Sequence, residues 1–307
     1  MPTLRSMLVW MDGVPVDPHE ARISIFDRGF LYGQAVFETL RTYGGRIWRP
    51  EAHMERLFRS ATTARVPISI EAHALVDELT SVYRASGLDE ATLRMSLTAG
   101  QGETFGSSWL TWPAPSGEDS PPRRITWAAP IPAFPSRMRT DGLTAITVRA
   151  EPGSGLLGTA KTHAYLMSIV SRGLAKDAGA DDAVIVGLDG HVREASSANV
   201  FLVFGDSWVT PPVDDGALAG VTRESLMEAL SRVGSPVTVR PVSSSELHRA
   251  DEVVVTSSVR GLRSVVRIDG RAVGSGRPGP KAAQAEKDFM SMVRAELGLR
   301  EDGAMAR

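Results

Sequence analysis

Lys161 and Glu194 are the residues of this chain whose types and surroundings most readily suggest chemistry. Lys161 stands in Gly158-Thr-Ala-Lys161-Thr-His-Ala-Tyr165-Leu166, ahead of a helix-like stretch. Glu194 stands in Gly190-His-Val-Arg-Glu194-Ala-Ser-Ser-Ala-Asn199-Val-Phe201. A lysine and a carboxylate on separate elements suit an aldehyde cofactor with a basic ring nitrogen. The amine holds the aldehyde as a Schiff base and the carboxylate keeps the ring nitrogen protonated; pyridoxal 5′-phosphate (PLP) needs both. Taken singly, each reads as a solvated surface charge, so the pair draws its weight from three further segments. Leu218-Ala-Gly220-Val221-Thr222 is a glycine turn feeding a helix, whose unpaired N–H groups and positive dipole end suit a phosphate. The plainer alternative is that Thr222 caps that helix. Val255-Thr256-Ser257-Ser258 ends a strand in a hydroxyl cluster, a pattern that also finishes turns. His53-Met-Glu-Arg56-Leu57 puts a planar, phosphate-matching fork on a helix, or simply a surface charge.

The elements that must position these residues alternate between strand and helix patterns. Strand-like alternation near Leu8–Met11 turns at Asp12-Gly13, and Arg22–Phe26 is a short apolar run before a loop over Asp27–Gly33. Val36–Tyr43 reads as a strand, Gly44-Gly45 as a turn and Arg46–Trp48 as the return strand. Pro50 opens a helix with Leu57 on its apolar side, and a second helix covers Glu71–Ala85. Thr92–Thr98, Ser108–Trp112 and Ile125–Ala129 read as strands, with an exposed proline-rich loop over Pro113–Arg124. In the second half, strands are expected near Leu143–Arg149, Ala183–Gly187, Val200–Phe204 and Glu252–Thr256. Helices are expected near His163–Ala178, Arg223–Val233 and Pro280–Leu297. The stiff run Pro130-Ile-Pro-Ala-Phe-Pro135 is the candidate linker. The reading is therefore α/β (α+β) with a small N-terminal α/β domain over 1–130, a linker over 131–138 and a large domain over 139–307.

Composition excludes several other classes. The chain has 307 residues, 42% hydrophobic and 23% charged, with a formal net charge of −2, as expected of a soluble globular protein. Nothing in that balance favours nucleic acid or an anionic membrane, and no apolar run is long enough to span a bilayer. The opening residues meet charge too early for a signal peptide. The absence of cysteine removes disulfides, thiolate catalysis and thiolate metal sites, and fits the cytoplasm. The six histidines show no zinc-binding spacing, so no metal is expected.

The order of the motifs resembles the class IV aminotransferases, the fold-type IV PLP enzymes that include branched-chain aminotransferases, D-amino-acid aminotransferases and aminodeoxychorismate lyases. The resemblance runs from Asp27–Gly33, Phe37-Glu-Thr-Leu-Arg41 and His53–Leu57 through Lys161, Glu194–Asn199, Gly220-Val-Thr-Arg223 and Ala250–Ser258 to Ile268-Asp-Gly270 and Gly276–Pro280. It implies a larger C-terminal domain with a β-barrel-like core and Lys161 as Schiff-base lysine and proton shuttle. It also implies Glu194 on the ring nitrogen, Tyr165 near the phenolic oxygen, and Arg56, Val221, Thr222, Ser257 and Ser258 around the phosphate. Tyr165 is expected one helical turn from Lys161, and Asn199 either orients the carboxylate strand or caps a turn. Tyr32, Phe37, Thr39, Arg94 and Arg260 are the candidate substrate residues.

The branch is left open by the same residues. Branched-chain aminotransferases usually carry Phe-Glu-Gly where this chain has Phe37-Glu38-Thr39, which counts against a standard member of that branch. The D-amino-acid branch places an arginine and a histidine on the loop that here reads Ala99–Ser107, with neither; Arg94 or Arg260 could take over the substrate carboxylate. Parts of the chain are similar to aminodeoxychorismate lyases. The expectation is transfer of an amino group from an amino acid or amine to a 2-oxo acid, with pyruvate elimination giving 4-aminobenzoate as the alternative. A PLP-binding protein without turnover is the non-enzyme reading, disfavoured by the intact Lys161 and Glu194. Trp109, Trp112 and Trp127 are read as core or interface aromatics. A homodimer is expected, with the Ala99–Ser107 loop near the neighbouring site.

Overall fold

A computed structural model describes residues 7–101, 122–151 and 157–300. Two compact units are present: Met1–Pro132 with Ala160–Ala164, and Ala133–Thr159 with Tyr165–Arg307. The chain passes from one to the other within the proline-stiffened run. By chain position Lys161 belongs to the second half, but the short segment that carries it packs with the first unit.

The first unit holds strands β1 (Leu8–Met11), β2 (Val14–Val16), β3 (Ala35–Tyr43), β4 (Arg46–Ile47), β5 (Ala91–Thr98) and β6 (Arg124–Pro130), with helices α1 (Arg28–Tyr32), α2 (Pro50–Ala64) and α3 (Ala72–Ser86). The strands form one antiparallel sheet in the order β2-β1-β6-β5-β3-β4. Side chains alternate across β3. Val36 and Leu40 join the core with Met54, Leu57 and Ala61 of α2 and Leu75, Leu79 and Val82 of α3. Phe37 and Thr39 therefore lie on the opposite face. Pro50 sits in the first turn of α2, where its missing N–H costs nothing.

The segment Asp27–Gly33, expected as a loop, contains the short helix α1. Asp27 Oδ1 accepts the Gly29 N–H at 2.7 Å and Gly33 closes the helix at φ 69, so both ends are capped locally. The run Arg22–Phe26 forms no strand. The expected strand Ser108–Trp112, most of the Pro113–Arg124 loop and residues 102–107 of the Ala99–Ser107 loop lie outside the described residues, as do Trp109 and Trp112.

The second unit holds β7 (Leu143–Arg149), β8 (Asp182–Val186), β9 (Val192–Ala195), β10 (Asn199–Phe204), β11 (Ser207–Thr210), β12 (Val237–Val239), β13 (Glu252–Ser257), β14 (Gly261–Ile268) and β15 (Arg271–Ala272). Its helices are α4 (Arg137–Thr140), α5 (Leu166–Asp177), α6 (Val221–Arg232), α7 (Ser244–Leu247) and α8 (Pro280–Leu297). The strands form a mixed sheet in the order β12-β11-β10-β13-β14-β7-β8-β9, with β15 on β14. Pairing is parallel for β11–β12, β14–β7 and β7–β8. A bridge from Ala195 to Ala198 ties the end strand β9 back to the start of β10, which gives the sheet its half-barrel character. Val184, Val200, Leu202, Val253, Val255 and Val265 fill its core. Among the described residues, no helix is long and apolar enough to cross a membrane.

Candidate active site

In the first unit, the site begins with an edge left open on the sheet. β4 covers only Thr42 and Tyr43 of β3, and residues 161–163 pair with the uncovered end. The Phe37 N–H donates to the Lys161 carbonyl at 3.0 Å and the His163 N–H to the Ala35 carbonyl at 2.8 Å. The Lys161 N–H donates to Ser60 Oγ on α2 at 3.0 Å. The Lys161 backbone is thus held from both sides.

This pairing corrects the expected helix over His163–Ala178. The helix α5 starts at Leu166 with Tyr165 as its N-cap residue, because the backbone of 161–163 is already committed to β3. Tyr165 is therefore not one helical turn from Lys161, and it falls in the second unit.

Lys161 and His163 are alternate residues of an extended segment and share a face with Phe37. The Lys161 Nζ lies 4.6 Å from the Phe37 ring centroid, and the Arg94 guanidinium carbon lies 3.7 Å from the same centroid. The His163 ring meets Phe37 edge-on at 5.4 Å. Two cations on one ring gain cation–π attraction. Thr39 lies opposite Arg94 in the β3–β5 register. Ser96 Oγ accepts from Arg94 Nε at 3.4 Å and lies 3.2 Å from His163 Nε2. Burial and the Arg94 charge push the His163 pKa down to about 4, so its ring is neutral at pH 7. Tyr32, at the end of α1, is half exposed.

Arg56 is no surface charge: it is buried, and its Nε and Nη2 donate to Glu38 Oε1 and Oε2, both at 2.7 Å. His53 Nδ1 lies 2.7 Å from Glu38 Oε2. Burial pushes the Glu38 carboxyl up, but the Arg56 guanidinium and the His53 ring outweigh it and hold the pKa at about 2. Burial also lowers the His53 pKa against the pull of Glu38. Glu38 and His53 stand in the quoted motifs but carry no expected role of their own. The available signal was a glutamate at a core-facing position of an alternating strand, with a histidine three residues before the arginine on the next helix.

In the second unit, the Glu194 carboxylate on β9 is oriented by two N–H donors, both falling on Oε2. They are the Leu218 backbone at 3.0 Å and the Asn199 amide at 3.4 Å; that amide also donates to the Leu218 carbonyl at 2.7 Å. The Asn199 amide thus touches both the carboxylate and the Leu218 loop. Gly220, not Thr222, is the N-cap of α6, and no side chain caps that helix. Val221 and Thr222 are its first two residues, both buried, so their backbone N–H groups are ones the helix itself cannot satisfy. Ser257 ends β13 and Ser258 opens the turn into β14. The hydroxyl of the neighbouring Thr256 is buried with no hydrogen-bond partner. Arg260 is buried, its Nη2 donating to Asp182 Oδ2 at 2.9 Å and Ser197 Oγ at 3.1 Å. Arg260 thus ties the serine turn to β8 through Asp182 and to the Glu194–Asn199 turn through Ser197. The donors of this unit (α6 backbone, Thr222, Ser257 and Ser258) suit an anion, while Glu194 suits a protonated nitrogen. That set fits PLP. Among the described residues no group of acidic or histidine side chains could hold a metal.

A family model for amino-transferase class IV matches residues 35–268. The putative branched-chain-amino-acid aminotransferase of Methanocaldococcus jannaschii is 30% identical over 296 residues, covering 96% of this chain and 99% of that protein. The crystal structure of the Escherichia coli branched-chain amino acid aminotransferase superposes with a TM-score of 0.85 at 26% identity, over 94% of this chain and 95% of that one. A hypothetical aminotransferase from Mycobacterium tuberculosis, in its alpha-ketoglutarate- and PMP-bound form, gives 0.81 at 25% identity, over 94% of this chain and 99% of that one. Fold and relatives together define an enzyme that transfers amino groups. The chain belongs to the class IV aminotransferases, a PLP-dependent family. These comparisons favour transfer over the lyase alternative.

Two outcomes follow from the geometry. A Cβ on Gly220 would come within 2.0 Å of Asn199 Oδ1, so Gly220→Ala must push the amide off Glu194 and Leu218. It is expected to weaken PLP retention about tenfold while costing about 1–3 kcal/mol of stability, read by absorbance titration and thermal melting. His163 is neutral in the fold down to about pH 4, whereas an unfolded histidine takes up a proton below about 6.5. Its contribution is complete above pH 6.5 and is lost as pH falls to about 4. His163→Gln should flatten the decline of melting temperature over that window, by on the order of 1 kcal/mol; an unchanged slope rejects the assignment.

Proposed function

We propose that this enzyme uses PLP to move an amino group from a carboxylate-bearing donor to a 2-oxo acid. In this reading Lys161 holds the cofactor aldehyde and then moves the substrate α-proton, and Glu194 keeps the ring nitrogen protonated. Arg56, the α6 backbone at Val221, Thr222, Ser257 and Ser258 hold the phosphate, and Tyr165 hydrogen-bonds near the phenolic oxygen. Bound PLP supplies the electron sink that makes the α-proton labile. The observation that carries the reading is the pairing of Lys161 with Arg94 on the Phe37 ring. Arg94 places a carboxylate-binding fork beside the nucleophilic amine. Between the two arginines considered for that role, Arg94 is preferred, because it shares the Phe37 ring with Lys161. Phe37 and Thr39 line the substrate side of β3, and Tyr32 borders it.

The test is a half-reaction. PLP-loaded protein mixed with L- or D-amino acids, a chiral amine or aminodeoxychorismate, without acceptor, is followed by the absorbance of the lysine-bound cofactor while pyruvate is assayed. Stable conversion to the pyridoxamine form with one donor, lost in Lys161→Ala, supports transfer, and the hand of that donor names the branch. Catalytic pyruvate release with the cofactor band unchanged would establish the lyase instead.

The protein is also proposed to act as a homodimer in the cytoplasm. Leu166, Ile169, Val170 and Leu174 form an exposed apolar stripe on α5, at relative exposures of 71%, 64%, 52% and 47%, and a stripe of this kind commonly marks an interface. Light scattering should give twice the chain mass, and Ile169→Asp should shift it towards the monomer; a fully active wild-type monomer rejects the dimer.

A further inference from the structure

The network around Glu38 does more than a core ion pair needs to do. Glu38 sits on the helix-covered face of β3 between Val36 and Leu40, both wholly buried. A carboxylate there is strongly destabilising unless fully paired. It is paired at three points: Arg56 Nε on Oε1, and Arg56 Nη2 and His53 Nδ1 on Oε2, all at 2.7 Å. Because the carboxylate is ionised and can only accept, His53 Nδ1 must carry the proton, and the neutral ring acts as donor. Glu38 and Arg56 then cancel, leaving the buried trio with no net charge. A guanidinium held on its Nε–Nη2 edge cannot rotate, so its Nη1 edge has one direction. His53, Arg56 and Ser60 recur at i, i+3 and i+7 along one face of α2, and Ser60 holds the Lys161 N–H. One helix face thus sets both the lysine backbone and the arginine fork.

We propose that Glu38 and His53 are positioning residues that clamp Arg56 so that it presents its Nη1 edge, already oriented, to a phosphate monoester. This rests on the reading of Arg56 as a phosphate ligand. The ligand affinity then comes from pre-organisation rather than from added charge. The two origins differ in sign. Removing the Glu38 negative charge would tighten phosphate binding if charge alone mattered, and weakens it if Glu38 orients the fork.

The experiment measures the dissociation constants of PLP and of phosphate-free pyridoxal, by absorbance titration of resolved enzyme, for the wild type and for Glu38→Gln, His53→Ala, His53→Asn and Arg56→Met. The ratio of the two constants isolates the phosphate. Glu38→Gln should lower the preference for PLP about tenfold with pyridoxal binding unchanged. His53→Ala should lower it by a smaller factor, and His53→Asn, which keeps a donor at the Nδ1 position, should restore it. In the Arg56→Met background, Glu38→Gln should have no further effect on the ratio. If Glu38→Gln does not fold, the two histidine variants carry the same comparison.

The proposal is overturned if Glu38→Gln or His53→Ala leaves the ratio unchanged or raises it, or if the losses fall equally on pyridoxal, as a purely structural role requires. It is also overturned if His53→Asn fails to rescue His53→Ala. A ratio unmoved by Arg56→Met instead rejects Arg56 as the phosphate ligand, and the clamp with it.

Discussion

The pairing of residues 161–163 with the open edge of β3 is the constraint on which the lysine's placement depends. Two backbone hydrogen bonds with β3 and one from the Lys161 N–H to Ser60 Oγ fix a segment that would otherwise be a solvated connection. Backbone groups at a sheet edge need partners, and β4 is too short to supply them here. The segment therefore bridges to that edge in extended conformation. Its period of two puts Lys161 and His163 on one face with Phe37, and it delays the start of α5 to Leu166. A lysine held this way keeps its orientation through backbone geometry, leaving its side chain to the aromatic ring and the chemistry.

Buried charge is the second organising theme, and each unit handles it in the same way. In the first, Glu38 is matched by Arg56 and His53; in the second, Asp182 is matched by Arg260, with Ser196 Oγ and the Ala183 N–H also donating to it. Neither pair is expected to add much net stability, since desolvation offsets most of the attraction. What they provide is direction: each fixes a guanidinium or a turn that a flexible surface charge would leave mobile. Glu194 follows the same logic with neutral donors, its Oε2 held by a backbone N–H and by an amide that Gly220 leaves room for.

Much of this was legible in the sequence. α8 was expected over Pro280–Leu297 and β7 over Leu143–Arg149, and both bounds match, because proline at a helix start and apolar alternation in a strand are local signals. The glycine at 220 was read as a turn feeding a helix, and it is the N-cap of α6. Asp27–Gly33 reads as a loop in the sequence because the five helical residues are too few to show a period, although Asp27 and Gly33 are ordinary caps. The helix expected near His163–Ala178 begins only at Leu166, because the strand that pairs with 161–163 lies more than a hundred residues earlier in the chain.

By itself, the sequence determined the class: the order of lysine, glutamate, glycine turn and hydroxyl cluster is a one-dimensional pattern, and it survives without coordinates. It also determined most elements, since period and punctuation are properties of neighbouring residues. Only the tertiary structure decided which charges are buried and in whose company. Arg56, Arg94 and Arg260 look alike in a sequence, each a cation beside apolar neighbours. One is clamped by Glu38, one stacks beside Lys161 on Phe37, and one is held by Asp182. Those partners come from other strands and helices, and a charge takes its role from the field and hydrogen bonds around it, which only folding brings together.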